Sequence, residues 1–276
     1  MIVKQQDYVN EGDILLRSKD KTFRVHKLIL SLSSKLFKDL IESSETSKPS
    51  TNENVKIIKH YPISPSLEIY VDGETPELIE GMLSFLYPVE HFMITWDNIS
   101  DFLRISDKFE IEKIKQCCKD MLSKEFQSNT LLAIKLAEKY SFPDIYKESS
   151  KLILDDYQKY SSDPQFKLLS KETRLKLYEC WFDYHSKLQE FICKFHEKGV
   201  HHNGRTISLR EYISKKFPAT TLLKPSLLMD MCKQQLSFEN YYNYLNIKEN
   251  YPERILTYEP LFQNDDKMYI FIELDN

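Results

Sequence analysis

Gly12-Asp13-Ile14-Leu15-Leu16 and, after a polar turn at Lys19-Asp20-Lys21, Thr22-Phe23-Arg24-Val25-His26-Lys27-Leu28-Ile29-Leu30 decide how this chain folds. Ile14-Leu15-Leu16 is a short apolar run set off by Gly12-Asp13. Thr22 to Val25 alternates polar and apolar residues, which puts Phe23 and Val25 on one face. Two such runs around a polar turn predict a β-hairpin. At His26 the period changes to that of a helix. Leu28, Leu32 and Leu36, with Ile29 and Phe37, form an apolar stripe. Ser33-Ser34 predicts a break into two short helices, because serine favours helix caps over helix interiors.

Ser, Thr, Glu, Asn and Pro dominate the chain that follows, and residues 42–66 read as a long loop closed by Pro62 and Pro65. Leu67, Ile69 and Val71 then alternate with Glu68 and Tyr70, the period-two signature of a strand that ends at Asp72-Gly73. Pro76 suits a first helical turn, and Leu78, Met82, Phe85 and Leu86 carry a helix to Tyr87, before Pro88. Beyond Thr95 the chain reads as helix after helix. Asp97 is placed to cap a helix with Ile99, Phe102, Leu103 and Phe109 inward. A second helix starts at Glu112 with Ile114, Cys118, Met121 and Leu122 at core spacing. Ser128 or Asn129 caps a third, with Ala133, Leu136, Ala137 and Tyr140 inward. Pro143 starts a fourth, with Tyr146, Ser150, Ile153, Tyr157 and Tyr160 on one side. After Ser161-Ser162-Asp163-Pro164, a long helix is expected from about 171 to 198, with Leu175, Tyr178, Phe182, His185, Leu188, Ile192 and Phe195 as its apolar stripe. Asn203-Gly204 is a turn signal, and Ser208 with Glu211 fits a capping box. Short helices are expected near 226–235 and 237–247. Alternation at Met268, Ile270, Ile272 and Leu274 suggests a final strand.

Composition removes several function classes. Of the 276 residues, 41% are hydrophobic and 29% charged, with 38 basic against 42 acidic side chains for a net charge of −4. Such a balance favours neither nucleic acid nor an anionic membrane surface. No apolar run is long enough to span a bilayer. There are five glycines in the whole chain, where about 7% is usual. Phosphate-cradling loops, dinucleotide fingerprints and nucleophile elbows need glycine for sharp turns and close backbone approach, and no such pattern occurs. The five cysteines (Cys117, Cys118, Cys180, Cys193 and Cys232) include no CxxC pair, so buried free thiols are expected rather than a disulfide framework. Met1 to Asp7 lacks the apolar core of a secretion signal, and a cytoplasmic location, with the nucleus open, is the expectation.

The order of elements and the residues Gly12-Asp13-Ile14-Leu15-Leu16, Phe23-x-Val25-His26-Lys27-x-x-Leu30, Ser33/Ser34, Phe37, Leu67-x-Ile69-x-Val71 and Phe85-Leu86-Tyr87-Pro88 resemble a BTB (POZ) domain over roughly 10–125. Residues 126–200 resemble a BACK-like helical region, and 201–276 is read as a helical C-terminal region. The fold class implied is α+β: a short β-sheet flanked by helices, then a mostly helical part. Asp13, Phe23, His26, Lys27 and Phe37 carry the signature as structural residues. The resemblance implies a protein-interaction module rather than an enzyme, without a cofactor. BTB domains form homodimers, often through their first helix, which makes Leu28, Ile29 and Leu32 the candidate dimer interface. Many also bind the N-terminal domain of a cullin through a hydrophobic-x-acidic loop after the third core helix, and here Leu86, Val89, Glu90 and Phe92 are the nearest match. BTB–BACK proteins commonly present substrates to cullin-RING ubiquitin ligases. Two functions stay open: such an adaptor with an unknown substrate protein, and a scaffold that only self-associates or binds a regulatory partner.

Other residues invite sharper readings. His26 neighbours Asp13 across the hairpin, yet in the resembled family it is structural. His185 on an apolar stripe reads as a satisfied core or interface histidine. His196, His201 and His202 lack the i, i+4 spacing of a helical zinc site. Trp181, Phe182 and Tyr184 read as core packing, and Tyr241, Tyr242, Tyr244, Tyr251 and Tyr258 as interface or core.

Overall fold

The computed structural model describes residues 12–45, 55–58, 67–87, 92–196, 200–202, 205–207 and 270–275. The chain divides into two compact units, Met1–Lys124 and Glu125–Asn276.

The first unit opens on the expected hairpin, β1 (Ile14–Ser18) and β2 (Lys21–Val25), paired antiparallel with Ile14 opposite Val25. Gly12 permits its start. A Cβ there would lie 2.4 Å from the Val25 backbone nitrogen and oxygen, so only glycine fits. The sheet has four strands in the order β2-β1-β4-β3, with β3 (Val55–Ile58) and β4 (Leu67–Val71). β1 runs parallel to β4, and β3 antiparallel to it. β3 lies within the stretch expected to be loop: Val55-Lys56-Ile57-Ile58 is too short a run to stand out among its polar neighbours, and it pairs only because β4 offers it a free edge. Ile14, Leu16, Phe23, Val25, Ile69 and Val71 are buried, the period-two face the alternation predicts.

Helix α1 (Lys27–Ser33) and helix α2 (Lys35–Glu45) are separated at Ser34. The Ser34 hydroxyl accepts a hydrogen bond from the Phe37 N–H at 3.1 Å and donates to the Phe109 carbonyl. It therefore caps α2 and ties it to the rest of the unit. Phe37 is fully buried and stacks on Phe109, ring centroids 5.2 Å apart. α2 continues to Glu45, four residues into the expected loop. α3 (Pro76–Leu86) starts with Pro76 at its first turn and Thr75 as cap. α4 (Ile99–Lys108) starts one residue later than an Asp97 cap would give. Asn98 occupies the cap position, and its Oδ1 accepts from the Thr95 N–H, closing the preceding turn instead. α5 (Glu112–Glu125) buries Ile114, Cys118 and Leu122.

In the second unit, α6 (Thr130–Tyr140) buries Ala133, Leu136, Ala137 and Tyr140 as expected. α7 (Pro143–Asp155) and α8 (Tyr157–Ser162) divide what the periodicity joined into one helix. A 3-10 turn, Pro164–Leu168, is capped by Asp163 and leads to α9 (Lys171–His196). Ser170 caps α9: its Oγ accepts from the Thr173 N–H at 2.9 Å.

The rotation of α9 differs from the expected one. Leu175, Tyr178 and Phe182 are exposed, whereas Thr173, Leu177 and Tyr184 are buried. At 100° per residue these two sets lie on nearly opposite faces. A short polar chain fixes the rotation: Thr173 Oγ1 donates to Glu138 at 2.7 Å and meets the Tyr146 hydroxyl at 2.8 Å. The side chains of Leu188, Ile192 and Phe195 lie outside the described residues.

β5 (Val200–His202) and β6 (Arg205–Ile207) pair antiparallel, so His201 and His202 belong to a hairpin rather than to a helix end and loop. Residues 270–275 carry no regular secondary structure and pair with no strand among the described residues, which corrects the expected final strand over its described part; Met268 and Tyr269 lie outside the described residues. The capping box at 208–211 and the helices near 226–235 and 237–247 lie outside the described residues.

Candidate interaction surfaces

The signature residues meet at one corner of the first unit. Asp13 Oδ1 accepts the Lys27 N–H at 2.7 Å, so a residue ahead of β1 satisfies an amide in the first turn of α1. The His26 N–H donates to the Tyr87 hydroxyl at 2.8 Å, and His26 Nδ1 lies 3.3 Å from the same oxygen. His26 thus faces Tyr87 at the end of α3 while Asp13 is engaged with α1, and the pair forms no acid–base dyad. Burial pushes the Tyr87 phenol up, partly offset by the His26 amide. Phe23 and Phe37 are core.

A second joint holds the sheet to the helices. The Glu74 side chain is buried and accepts two hydrogen bonds from Arg104, at 2.7 and 2.8 Å, and one from Lys108 at 2.9 Å. Ser18, at the end of β1, donates to the Glu74 carbonyl. Burial raises the carboxyl's pKa. The hydrogen bonds from Arg104 and Lys108, with their charges, more than reverse this and hold it below its ordinary value.

Among the described residues of this unit, two apolar features break the surface. On α1, Leu28 is 68% and Leu32 79% exposed, one turn apart, with Ile29 half-buried beside them. After α3, Phe92 is 46% and Met93 78% exposed. The Phe92 N–H donates to Ser84 Oγ at 3.0 Å and its ring lies 6.3 Å from that of Phe102. Gly81 makes room for that packing: a Cβ there would sit 2.9 Å from Phe102 and 3.5 Å from Phe92. The Met93 carbonyl accepts from Asn98 Nδ2. This pair is therefore presented by a pinned segment. Leu86 is half-buried on α3, and Val89 and Glu90 lie outside the described residues. Met93 was not among the expected contacts. Its signal in the sequence was a second large apolar residue beside Phe92.

The sequence model of the BTB/POZ domain matches residues 4–126. Residues 4–126 are a BTB/POZ domain. Curated relatives extend the likeness past it: Kelch-like protein 41b of Danio rerio is 22% identical over 176 residues, 62% of this chain and 27% of that protein. Kelch-like protein 25 of Homo sapiens is 24% identical over 166 residues, 60% of this chain and 26% of its own length. The match spans about a quarter of these relatives. Among solved structures, the BTB domain of zebrafish PATZ1 is similar at 14% identity and a TM-score of 0.32, over 44% of this chain and 82% of that one.

The BTB domain and the Kelch-like relatives support reading residues 4–126 as a protein-interaction module, and Leu28, Leu32, Phe92 and Met93 are the exposed large apolar side chains of its described part. The helical region after it is consistent with a BACK-like part. There, Trp181 is half-buried and stacked on Tyr157 at 4.9 Å, with the His185 ring 4.4 Å away. Tyr184 is core, but Phe182 is exposed and stacks on Tyr178 at 6.0 Å, contrary to the core reading of the trio. His185 Nε2 is buried without a hydrogen-bond partner among the described residues, so it is not the satisfied histidine expected, and burial lowers its pKa. Cys118 is buried, with its thiol pushed up to about 12, whereas Cys117 and Cys180 are only half-buried. The Cys193 and His196 side chains, Cys232 and the tyrosines from Tyr241 to Tyr258 lie outside the described residues. Among the described residues no helix is long and apolar enough to cross a membrane, and no group of three or more His, Cys, Asp or Glu is placed to hold a metal.

Proposed function

We propose that this chain is an adaptor: its BTB domain self-associates through α1 and docks the N-terminal domain of a cullin, while the helical region presents a substrate protein to the cullin-RING ubiquitin ligase. The observation that carries the cullin step is the Phe92–Met93 pair, apolar, largely solvent-facing and held by Ser84 and Asn98 beside the end of α3. Apolar side chains fixed in this way bind with little ordering cost and make good interface anchors. Leu86 precedes the same segment, and Val89 and Glu90, adjacent in sequence, are the nearest match to the hydrophobic-x-acidic pattern of the resembled family. Self-association draws on Leu28, Ile29 and Leu32.

Light scattering on a sizing column, with and without a purified cullin N-terminal domain, tests the proposal. A stoichiometric complex is expected. Met93→Asp and Phe92→Ala should each weaken it by about 2 kcal/mol, roughly thirtyfold, if they are anchors. A chain that ignores the cullin at roughly 50 µM, a weak-binding threshold on the affinity scale, points instead to the scaffold reading, in which the α1 face alone is used. That second reading rests on the exposed Leu28 and Leu32 alone, which could support self-association without a cullin.

A further inference from the structure

Residues 270–275 lie against α7 and α9 like a bound peptide. Ile272 is buried. Its N–H donates to Ser150 Oγ at 3.0 Å, and the same hydroxyl lies 3.4 Å from the Ile272 carbonyl oxygen, so one side chain reads both polar groups of one backbone residue. The Phe271 ring sits beneath Lys147 Nζ at 4.1 Å, with Lys151 at 5.8 Å, and its carbonyl faces Cys180 Sγ at 3.8 Å. Glu273 pairs with Lys147 at 3.3 Å, and Asp275 with Lys176 at 2.6 Å. The contact with Asp275 holds Lys176 above its ordinary value and Asp275 below its own.

This mode of holding is sequence-selective and exchangeable. Backbone hydrogen bonds to a groove wall fix an extended segment, and alternate side chains read its sequence. Here a single aliphatic side chain is buried, an aromatic ring is shared between two ammonium groups, and both acids remain mostly exposed in their ion pairs, which are individually weak. No strand ladder or helix among the described residues secures the segment, and residues 208–269 separate it from β6.

We propose that the cleft between α7 and α9 is a peptide-binding site, occupied in cis by residues 271–275 and open to exchange for an extended segment of a partner protein with the same chemistry: aromatic, aliphatic, acidic, any residue, acidic. Lys147, Lys151 and Lys176 select the acidic partner, Ser150 fixes its backbone, and the position of Ile272 anchors it.

The probe is a fluorescein-labelled peptide with the sequence of residues 268–276, titrated against the full chain by anisotropy. Against the unaltered chain it competes with the cis segment. Against full-length Ile272→Asp, whose own segment is displaced, it should bind about tenfold more tightly or better, because a competitor held in the same chain is removed. Adding Lys147→Glu and Lys176→Glu to that chain should remove about tenfold of this affinity, the scale of two exposed ion pairs reversed to repulsion. The same groove should then prefer a peptide carrying Lys at positions 273 and 275. Absence of saturable binding to an Ile272→Asp chain with intact helical circular dichroism overturns the proposal, as does affinity indifferent to the lysine reversals. If Ile272→Asp loses its helical signal, the segment is a structural staple and exchange is refuted. Full-length Glu273→Lys/Asp275→Lys, which leaves Ile272 in place, provides the independent check: probe affinity no higher than for the unaltered chain also refutes it.

Discussion

Replacing Leu28 and Leu32 together by glutamate separates self-association from folding. Both side chains are mostly in solvent in the single chain, at 68% and 79% exposure. Full burial of a leucine stabilises by about 1.5–3 kcal/mol. With about three-quarters of each side chain still to bury, each contributes roughly 1–2 kcal/mol on association. A two-fold interface uses the same patch on both copies, so four leucines supply about 4–8 kcal/mol, comparable to the whole free energy of a micromolar dimer. Glutamate removes that and sets four like charges face to face. The fold should tolerate the change: glutamate is a good helix former, and exposed substitutions usually stay within about 0.5 kcal/mol. Light scattering at about 20 µM, a concentration that populates a micromolar dimer, should give twice the 32.9 kDa chain mass for the unaltered protein and a single chain mass for the variant. Both should melt from the monomeric state at similar temperature. A variant that keeps the doubled mass places the interface elsewhere and refutes the role given to α1.

Glu74→Ala should cost about 3 kcal/mol in urea unfolding at pH 7, the low end for breaking a buried ion pair, because Arg104 can recover water. Since the folded-state value of Glu74 is lowered, its contribution is full above the unfolded value and lost as pH falls through the folded one, so the gap between variant and unaltered protein should close on acidification; a gap that is constant or widens in acid contradicts the ion-pair account. Gly12→Ala should destabilise by more than about 2 kcal/mol, because its Cβ would meet the Val25 backbone at 2.4 Å; a melting temperature within a degree of the unaltered protein would show that the strand start yields freely. Leu177→Ala should cost about 2–5 kcal/mol and Leu175→Ala under about 0.5 kcal/mol, and equal losses by thermal denaturation would place α9 in the other rotation.

The legibility of this chain follows the range of the forces involved. The hairpin, the break at Ser34, the start of α3 at Pro76 and the start of α7 at Pro143 rest on residues adjacent in sequence, and all are as the sequence predicts. Strand β3 was hidden because its identity comes from β4, the edge it joins, and its four residues carry too little pattern of their own. The signature residues were legible as a set, but their partners were not. That Asp13 serves the Lys27 amide and His26 the Tyr87 hydroxyl depends on contacts 14 and 61 residues apart.

Helix α9 shows why an apolar stripe alone does not fix a buried face. Leu175, Tyr178 and Phe182 make the more apolar row, and periodicity selects them. The opposite row mixes Thr173 with Leu177 and Tyr184 and looks weaker. Yet the weaker row is buried, because Thr173 completes a hydrogen-bonded chain with Glu138 and Tyr146 that neither Leu175 nor Phe182 could replace. Rotating the helix to bury the apolar row would leave the Tyr146 hydroxyl, itself within a fully buried side chain, without its partner, a cost of about 1–3 kcal/mol for that group alone. It would also withdraw Lys176 and Cys180 from residues 271–275. The apolar row is thus left in solvent by polar demands made elsewhere in the same unit. Thr173→Val should reveal the balance: it retains the shape but breaks the chain, and it should destabilise the second unit by about 1–3 kcal/mol. A neutral outcome in urea unfolding would mean that packing by Leu177 and Tyr184 suffices to set the rotation.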